Sequence, residues 1–243
     1  MKVLRLLRRG GSAWSAGLRI ASVPRRRNLL HNSRLDLLPA QELRRLGVVV
    51  DIGANVGDWS AAVLELAAPG LVLAVEPAPA TAEQLRERFR SDARVRVVEA
   101  AVGACDGQTS FHVTKHSHSG SVVLAAGTHR HLLGARADVV ADVDVEMVSL
   151  DSLLGDLHEI SLLKIDVQGY ERAVLAGAKA ALAKTRWVLL EANFVHQYEG
   201  DALLPELVLT LEAAGFELTN MSEPLVAQGQ ALFADVVFHR RGE

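Results

Sequence analysis

From Val48 onward, short valine- and leucine-rich runs alternate with segments of helical spacing, and this alternation narrows the fold more than anything else in the chain. "GVVVD" reads as a buried strand and "DWSAAVLELAA" as a helix that Pro69 and Gly70 stop. "LVLAVE" is a second strand, and "PAPATAEQLRERFR" a second helix whose prolines are confined to its start. "RVRVVEAAV" is a third strand. Strand, helix, strand, helix, strand in this order predicts a parallel sheet with helices on both faces.

Further along, "GQTSFHV" and the alternating "DVDVEMVSL" read as strands, the first in a hairpin. Residues 114–137 read as a long surface loop, a candidate lid, with His116, His118, His129 and His131 in it. H-x-H in a polar loop without cysteine lacks the fixed spacing of a zinc site, so no metal is assigned there. "LDSLL" starts a short helix. "ISLLKID" is a buried strand, "YERAVLAGAKAAL" a helix and "RWVLLEAN" another strand. "LLPELVLTLEAAG" is a helix closed by Gly215, and "FELTN" with "ALFADVVFHR" forms a terminal hairpin with Gly229 in its turn.

The first strand-to-helix turn, D-I-G-A-N-V-G from Asp51 to Gly57, sits where open parallel sheets bind ligands. Gly53 and Gly57 let the backbone turn tightly and approach a ligand. Glu76 ends the second strand, where a carboxylate can accept both hydroxyls of a ribose. Turn and acid together point to an adenosine-containing cofactor. A dinucleotide turn would need glycine where Asn55 stands, and no G-K-[ST] follows for a P-loop. A ligand without phosphates, such as S-adenosylmethionine, tolerates Asn55 and can place its cationic methionine end near Asp51.

"KIDVQGYE" (Lys164 to Glu171), with "DIGANVG", "EP" at Glu76–Pro77 and "SLD" at Ser149 to Asp151, resembles the FkbM family of S-adenosylmethionine-dependent methyltransferases, from Val48 to about Phe238. The departure is Gln168, where glutamate is commoner. The resemblance implies a Rossmann-like class I methyltransferase fold, an α/β architecture with a seven-stranded, mostly parallel sheet, a C-terminal antiparallel hairpin and helices on both faces. It also implies that Asp51, Gly53, Asn55 and Gly57 line the methionine end of the cofactor, that Glu76 with Pro77 holds the ribose, and that Ala100 to Val102, centred on Ala101, border the adenine. The reaction it implies is O-methylation of a sugar, polyketide, glycolipid or similar small acceptor.

Methyl transfer to a hydroxyl needs alignment and a base. Asp166, at the carboxyl end of its strand, and Lys164, two residues earlier on the same side, are either a base steadied by a cation or a structural ion pair. Glu191 ends the next strand, and His196 and Tyr198 follow on the loop towards the acceptor. Asp166, Glu191 and Asn193 offer oxygen ligands for Mg²⁺, a reading not adopted. Glu171 opens a helix, where a carboxylate suits the dipole.

The chain has 243 residues, room for one large domain. Its net charge of −3 hides an asymmetry. Before Gly47 stand eleven lysines and arginines against Asp36 and Glu42 alone. Residues 1–46 therefore read as a basic, helical extension, able to dock a partner or the inner face of a membrane, and 47–243 as the enzymatic domain. The acidic remainder opposes nucleic-acid binding. Charges interrupt every apolar run, so no spanning or secretory segment is expected, and the lone Cys105 suits a cytoplasmic location. Two rivals stay open: a non-catalytic module that binds S-adenosylmethionine, and an NAD-dependent oxidoreductase. Oligomeric state is not legible.

Overall fold

The valines of β1 (Val48–Ile52) lie in the middle of a sheet, as the alternation predicts. The computed structural model describes residues 24–114, 120–126 and 138–242. β3 (Val95–Val98), β2 (Leu71–Val75), β1, β7 (Ile160–Ile165) and β8 (Thr185–Asn193) run parallel in that spatial order. β11 (Gln230–Arg240) pairs antiparallel with β8. Its far edge is shared by β9 (Phe216–Met221) and β10 (Leu225–Ala227), both antiparallel to it. The sheet is thus seven places wide, Rossmann-like, with the expected antiparallel C-terminal part. Strand order reverses between β1 and β7, which opens a crevice at their carboxyl ends.

Side chains one residue apart on the central strands enter different cores. Val49, Val72, Leu162, Trp187, Leu189 and Val237 pack on one face, with α3 (Asp58–Leu66). Val50, Leu73, Leu163, Val188, Leu190 and Val236 pack on the other, with α5 (Leu150–Leu153), α6 (Glu171–Ala176), α7 (Lys179–Ala183) and α8 (Leu204–Ala213). Burial on both faces is why these strands are continuous apolar runs. α4 (Pro79–Phe89) carries β2 into β3.

Where the sequence suggests one helix over "YERAVLAGAKAAL", the chain forms α6 and α7 with a break at Gly177. A Cβ there would stand 2.3 Å from the Gly103 carbonyl oxygen, so only glycine lets that neighbouring backbone lie against the break. Gly103 ends β4 (Ala101–Gly103), which with β5 (Gly107–Thr114) and β6 (Val139–Ser149) makes a second, three-stranded sheet. β5 and β6 pair antiparallel, as the hairpin reading requires.

Of the basic segment, residues 24–46 are described. They form α1 (Pro24–Asn32), a 3₁₀ turn and α2 (Ala40–Leu43). Leu35, Leu38, Leu43 and Leu46 are buried among Val49, Val63 and Trp187. At about 1.5–3 kcal/mol for each buried leucine, this stretch is tied firmly to the sheet. Residues 1–23 and His116, His118, His129 and His131 lie outside the described residues. Among the described residues no helix is long and apolar enough to cross a membrane.

Candidate active site

β1 delivers the chain into a turn of three left-handed residues, Gly53 (φ +75°), Asn55 (φ +51°) and Gly57 (φ +83°). Gly53 admits no other residue. A Cβ there would lie 1.9 Å from the Asp166 carbonyl oxygen, where the end of β7 closes on the turn. The Asn55 side chain accepts from the Val56 N–H at 2.7 Å, the local bond that lets asparagine hold a left-handed conformation. Gly57 faces Leu85 and Phe89 of α4, so it shapes the turn from behind.

Glu76, at the end of β2, is 6% exposed. Its two oxygens accept from the Asn55 N–H at 2.9 Å and the Ala78 N–H at 3.0 Å. Burial pushes this carboxyl up to about 7, against the pull of those two donors. Glu76 lines a cavity of about 360 Å³ together with Gly53, Asn55, Pro77, Ala101 and Val122. Its oxygens retain lone pairs for a ligand's hydroxyls, and the neighbouring Val75, Ala101 and Val102 offer an apolar wall. This donor set fits an adenosine.

The second half of the site hangs on Lys164. Its ammonium lies 3.0 Å from Asp51, 3.6 Å from Asp166 and 3.0 Å from the Gly53 carbonyl it donates to. Burial alone would lower this group; Asp51 and Asp166 outweigh it and hold the lysine protonated. Asp51 is fully buried, and its other oxygen accepts from the Ser60 hydroxyl at 2.7 Å. Asp51 and Gly57 line neither cavity described here, so two of the residues expected at the methionine end support the turn from within.

Asp166 is brought to the crevice, its side chain 40% exposed. Glu191 stands beside it, half-buried, with Asp235 of β11 as its register partner. Burial, then the charges of Asp166, Asp235 and Glu171, push the Glu191 carboxyl well above its ordinary range. Glu171 opens α6 as read, but it does more than meet a helix dipole. It is 3% exposed, and one oxygen accepts from the N–H groups of Val167 and Gly169 at 3.3 and 3.2 Å, clamping the turn after Asp166. Burial raises it to about 7.

His196 is not brought to the site. It is mostly exposed, hydrogen-bonded at 2.6 Å to Asp201, and lines neither cavity. The Asn193 amide is likewise occupied, donating to Asp201 at 2.8 Å and accepting from Gln197 at 2.7 Å, which removes the oxygen a cation cluster with Asp166 and Glu191 would need. Tyr198 is buried and reaches the site through Gln168. Of the loop read over 114–137, the described residues 120–126 lie against the crevice rather than out in solvent. Ser121 donates to the carbonyls of Val167 and Gln168, and the Ala126 N–H donates to the Gln197 carbonyl.

A second cavity, of about 710 Å³, meets the first at Gly53, Asn55, Asp166, Glu191 and Phe233. Its outer wall is Leu29 to Arg34 of the basic segment, facing Trp59 and Asp235. The Trp59 indole donates to the Ser33 carbonyl at 2.9 Å, and the Arg34 guanidinium to Asp235 at 2.8 Å. Sequence reasoning missed Trp59, Phe233, Asp235 and Arg34. The one signal for Asp235 was an acid interrupting the apolar "ALFADVVFHR"; Arg34 gave none.

The family described as the methyltransferase FkbM domain matches residues 51–218. The chain is 31% identical over 180 residues to 2-O-methyltransferase NoeI of Sinorhizobium fredii, covering 70% of this chain and 72% of that protein. It is 27% identical to 31-O-demethyl-FK506 methyltransferase FkbM of Streptomyces tacrolimicus, over 76% of this chain and 78% of the relative. Among solved structures, a methyltransferase FkbM from Methylobacillus flagellatus superposes with a TM-score of 0.51 at 14% identity, over 79% of this chain and 43% of that one. At that identity the likeness is one of fold.

Proposed function

The chain belongs to the FkbM methyltransferase family, and from that premise we propose that it is an O-methyltransferase using S-adenosylmethionine on a hydroxyl of a sugar, glycolipid or natural-product acceptor. The observation that carries this reading is the meeting of two cavities at Gly53, Asn55, Asp166 and Glu191. One is lined for an adenosine; the other is open to a second molecule. Both relatives are named for methylation at oxygen, which supports a hydroxyl acceptor.

When bound, S-adenosylmethionine supplies an electrophilic methyl on a sulfonium with a neutral leaving group. Glu76 with Pro77 would hold the ribose, Ala101 would border the adenine, and Gly53 with Asn55 would line the methionine end. The acceptor lies in the larger cavity between Trp59 and Phe233, its hydroxyl at the shared wall. Asp166 takes the hydroxyl proton, and Lys164, held protonated, steadies the carboxylate before and after transfer. Glu191, on the wall that both cavities share, hydrogen-bonds the acceptor and fixes its line of approach. The aromatic walls and the α1 segment exclude water from that line.

The test is a screen of sugar, glycolipid and polyketide acceptors with a labelled methyl donor, repeated with Asp166→Asn. Methyl transfer is expected to fall at least about a hundredfold in the variant. Unchanged turnover would remove Asp166 from the role of base. Stabilisation by NAD and not by S-adenosylmethionine in a thermal-shift comparison would overturn the whole reading.

A further inference from the structure

Gln168 has an unusual setting. It is left-handed (φ +54°), a conformation side chains other than glycine and asparagine rarely adopt, and its hydrogen bonds show what holds it there. Its Nε2 donates to Asp166 Oδ1 at 2.7 Å, and its Oε1 accepts from the Tyr198 hydroxyl. The amide can face only one way. An ionised carboxylate accepts and does not donate, so Nε2 must meet Asp166 and the tyrosine must donate to the oxygen.

The surroundings hold that bridge rigid. Gly169 (φ +96°) packs its backbone so close to Tyr198 that a Cβ would lie 2.5 Å from the tyrosine's Cβ. The Ser121 hydroxyl donates to the Gln168 carbonyl at 2.7 Å, and Glu171 takes the Val167 and Gly169 N–H groups. The rotamer of Asp166 is therefore set from Oδ1, and Oδ2 is left with the looser 3.6 Å contact to Lys164.

We propose that Gln168 is a positioning residue: a neutral bridge, oriented by Tyr198, that fixes Asp166 through Oδ1 and turns Oδ2 to the acceptor as an anionic base. This rests on the assignment of Asp166 above. Around Asp166 stand Lys164 on its own strand, Asp51 on β1, Glu191 on β8, Asp235 and its partner Arg34, Glu171 on α6, and Tyr198. Carboxylates outnumber the two cations in this ring. A donor amide is the bridging group that adds no further negative charge. A glutamate at 168 would place a carboxyl at hydrogen-bond distance from Asp166, and the two would share a proton.

The test reads Asp166 directly, in the full chain without an acceptor. Protein labelled with ¹³C at the aspartate side-chain carboxyl is titrated by NMR, and Asp166→Asn assigns the signal. In Gln168→Glu the Asp166 signal should follow a coupled, two-step titration whose upper step lies at least about one pH unit above the wild-type transition. Gln168→Met and Tyr198→Phe, which remove the donor or its orienting hydroxyl without adding charge, should move a single transition upward by less. An Asp166 titration unchanged in Gln168→Glu overturns the proposal. Should that variant not fold, unchanged titrations in both Gln168→Met and Tyr198→Phe overturn it equally. Calorimetric binding of S-adenosylhomocysteine by the same samples separates the two readings: a wild-type chain that binds none refutes the donor assignment, whatever Asp166 does.

Discussion

Replacing Glu76 by glutamine tests the donor half of the site with almost no change in shape. The carboxylate accepts two backbone N–H groups and keeps lone pairs for the ribose diol. A glutamine has one accepting oxygen, so one backbone donor meets an NH₂ group and both ribose hydroxyls lose a charged acceptor. Hydrogen bonds to charged groups contribute about 1.5–3 kcal/mol each, so even the lower end for two of them, about 3 kcal/mol, weakens binding by a factor on the order of a hundred. The pH dependence sharpens the test. With the carboxyl pushed up to about 7, Glu76 is mostly protonated at pH 6 and mostly ionised at pH 8. Wild-type affinity for S-adenosylhomocysteine should therefore rise by about tenfold over that range and then level off. In Glu76→Gln it should stay flat. Isothermal calorimetry at several pH values reads both effects. A variant that binds within threefold of wild type, with the same pH slope, would refute Glu76 as the ribose acceptor.

Gly53→Ala should abolish cofactor binding and lower the yield of folded protein, because its Cβ would overlap the Asp166 carbonyl at a left-handed position; circular dichroism and calorimetry check this together. Lys164→Met leaves Asp51 fully buried with only Ser60 beside it, and urea unfolding should show a loss of about 3–5 kcal/mol. Glu76 and Glu171, both raised to about 7, bind protons more tightly folded than unfolded. Their contribution to stability is full below about pH 4.5 and is lost as pH rises to about 7, at roughly 3 kcal/mol each. Urea unfolding of the free protein at pH 5 and pH 8 should show this fall, and Glu171→Gln should flatten part of it.

The sheet was legible because strands buried on both faces leave short, valine-rich apolar runs bounded by turn residues. The turn was legible because Gly53 and Asn55 are residue types that left-handed backbone selects, and Glu76 because it ends a recognisable strand. What escaped were contacts between distant segments. Nothing around Gly177 announces the Gly103 carbonyl that lies against it where the helix breaks. Arg34 and Asp235 are 201 positions apart, and neither has a neighbour that hints at the other. His196 looked functional for standing just after Glu191, but Asp201 draws its ring away from the crevice. Gln168 was visible only as a departure from the commoner glutamate, and its meaning needed Tyr198 beside it.

β11 follows every other strand in chain order, yet it lies between β8 on one side and β9 with β10 on the other. It carries Phe233 and Asp235, two walls of the larger cavity. During synthesis on the ribosome, the five parallel strands emerge with the outer edge of β8 unpartnered, and β9 and β10 have nothing to pair with. The crevice that joins the two cavities can close only when this late strand slots in. Phe233 lines both cavities and Leu225 of β10 the smaller one, so a partly made chain has neither pocket complete, and the whole site waits on the last strand.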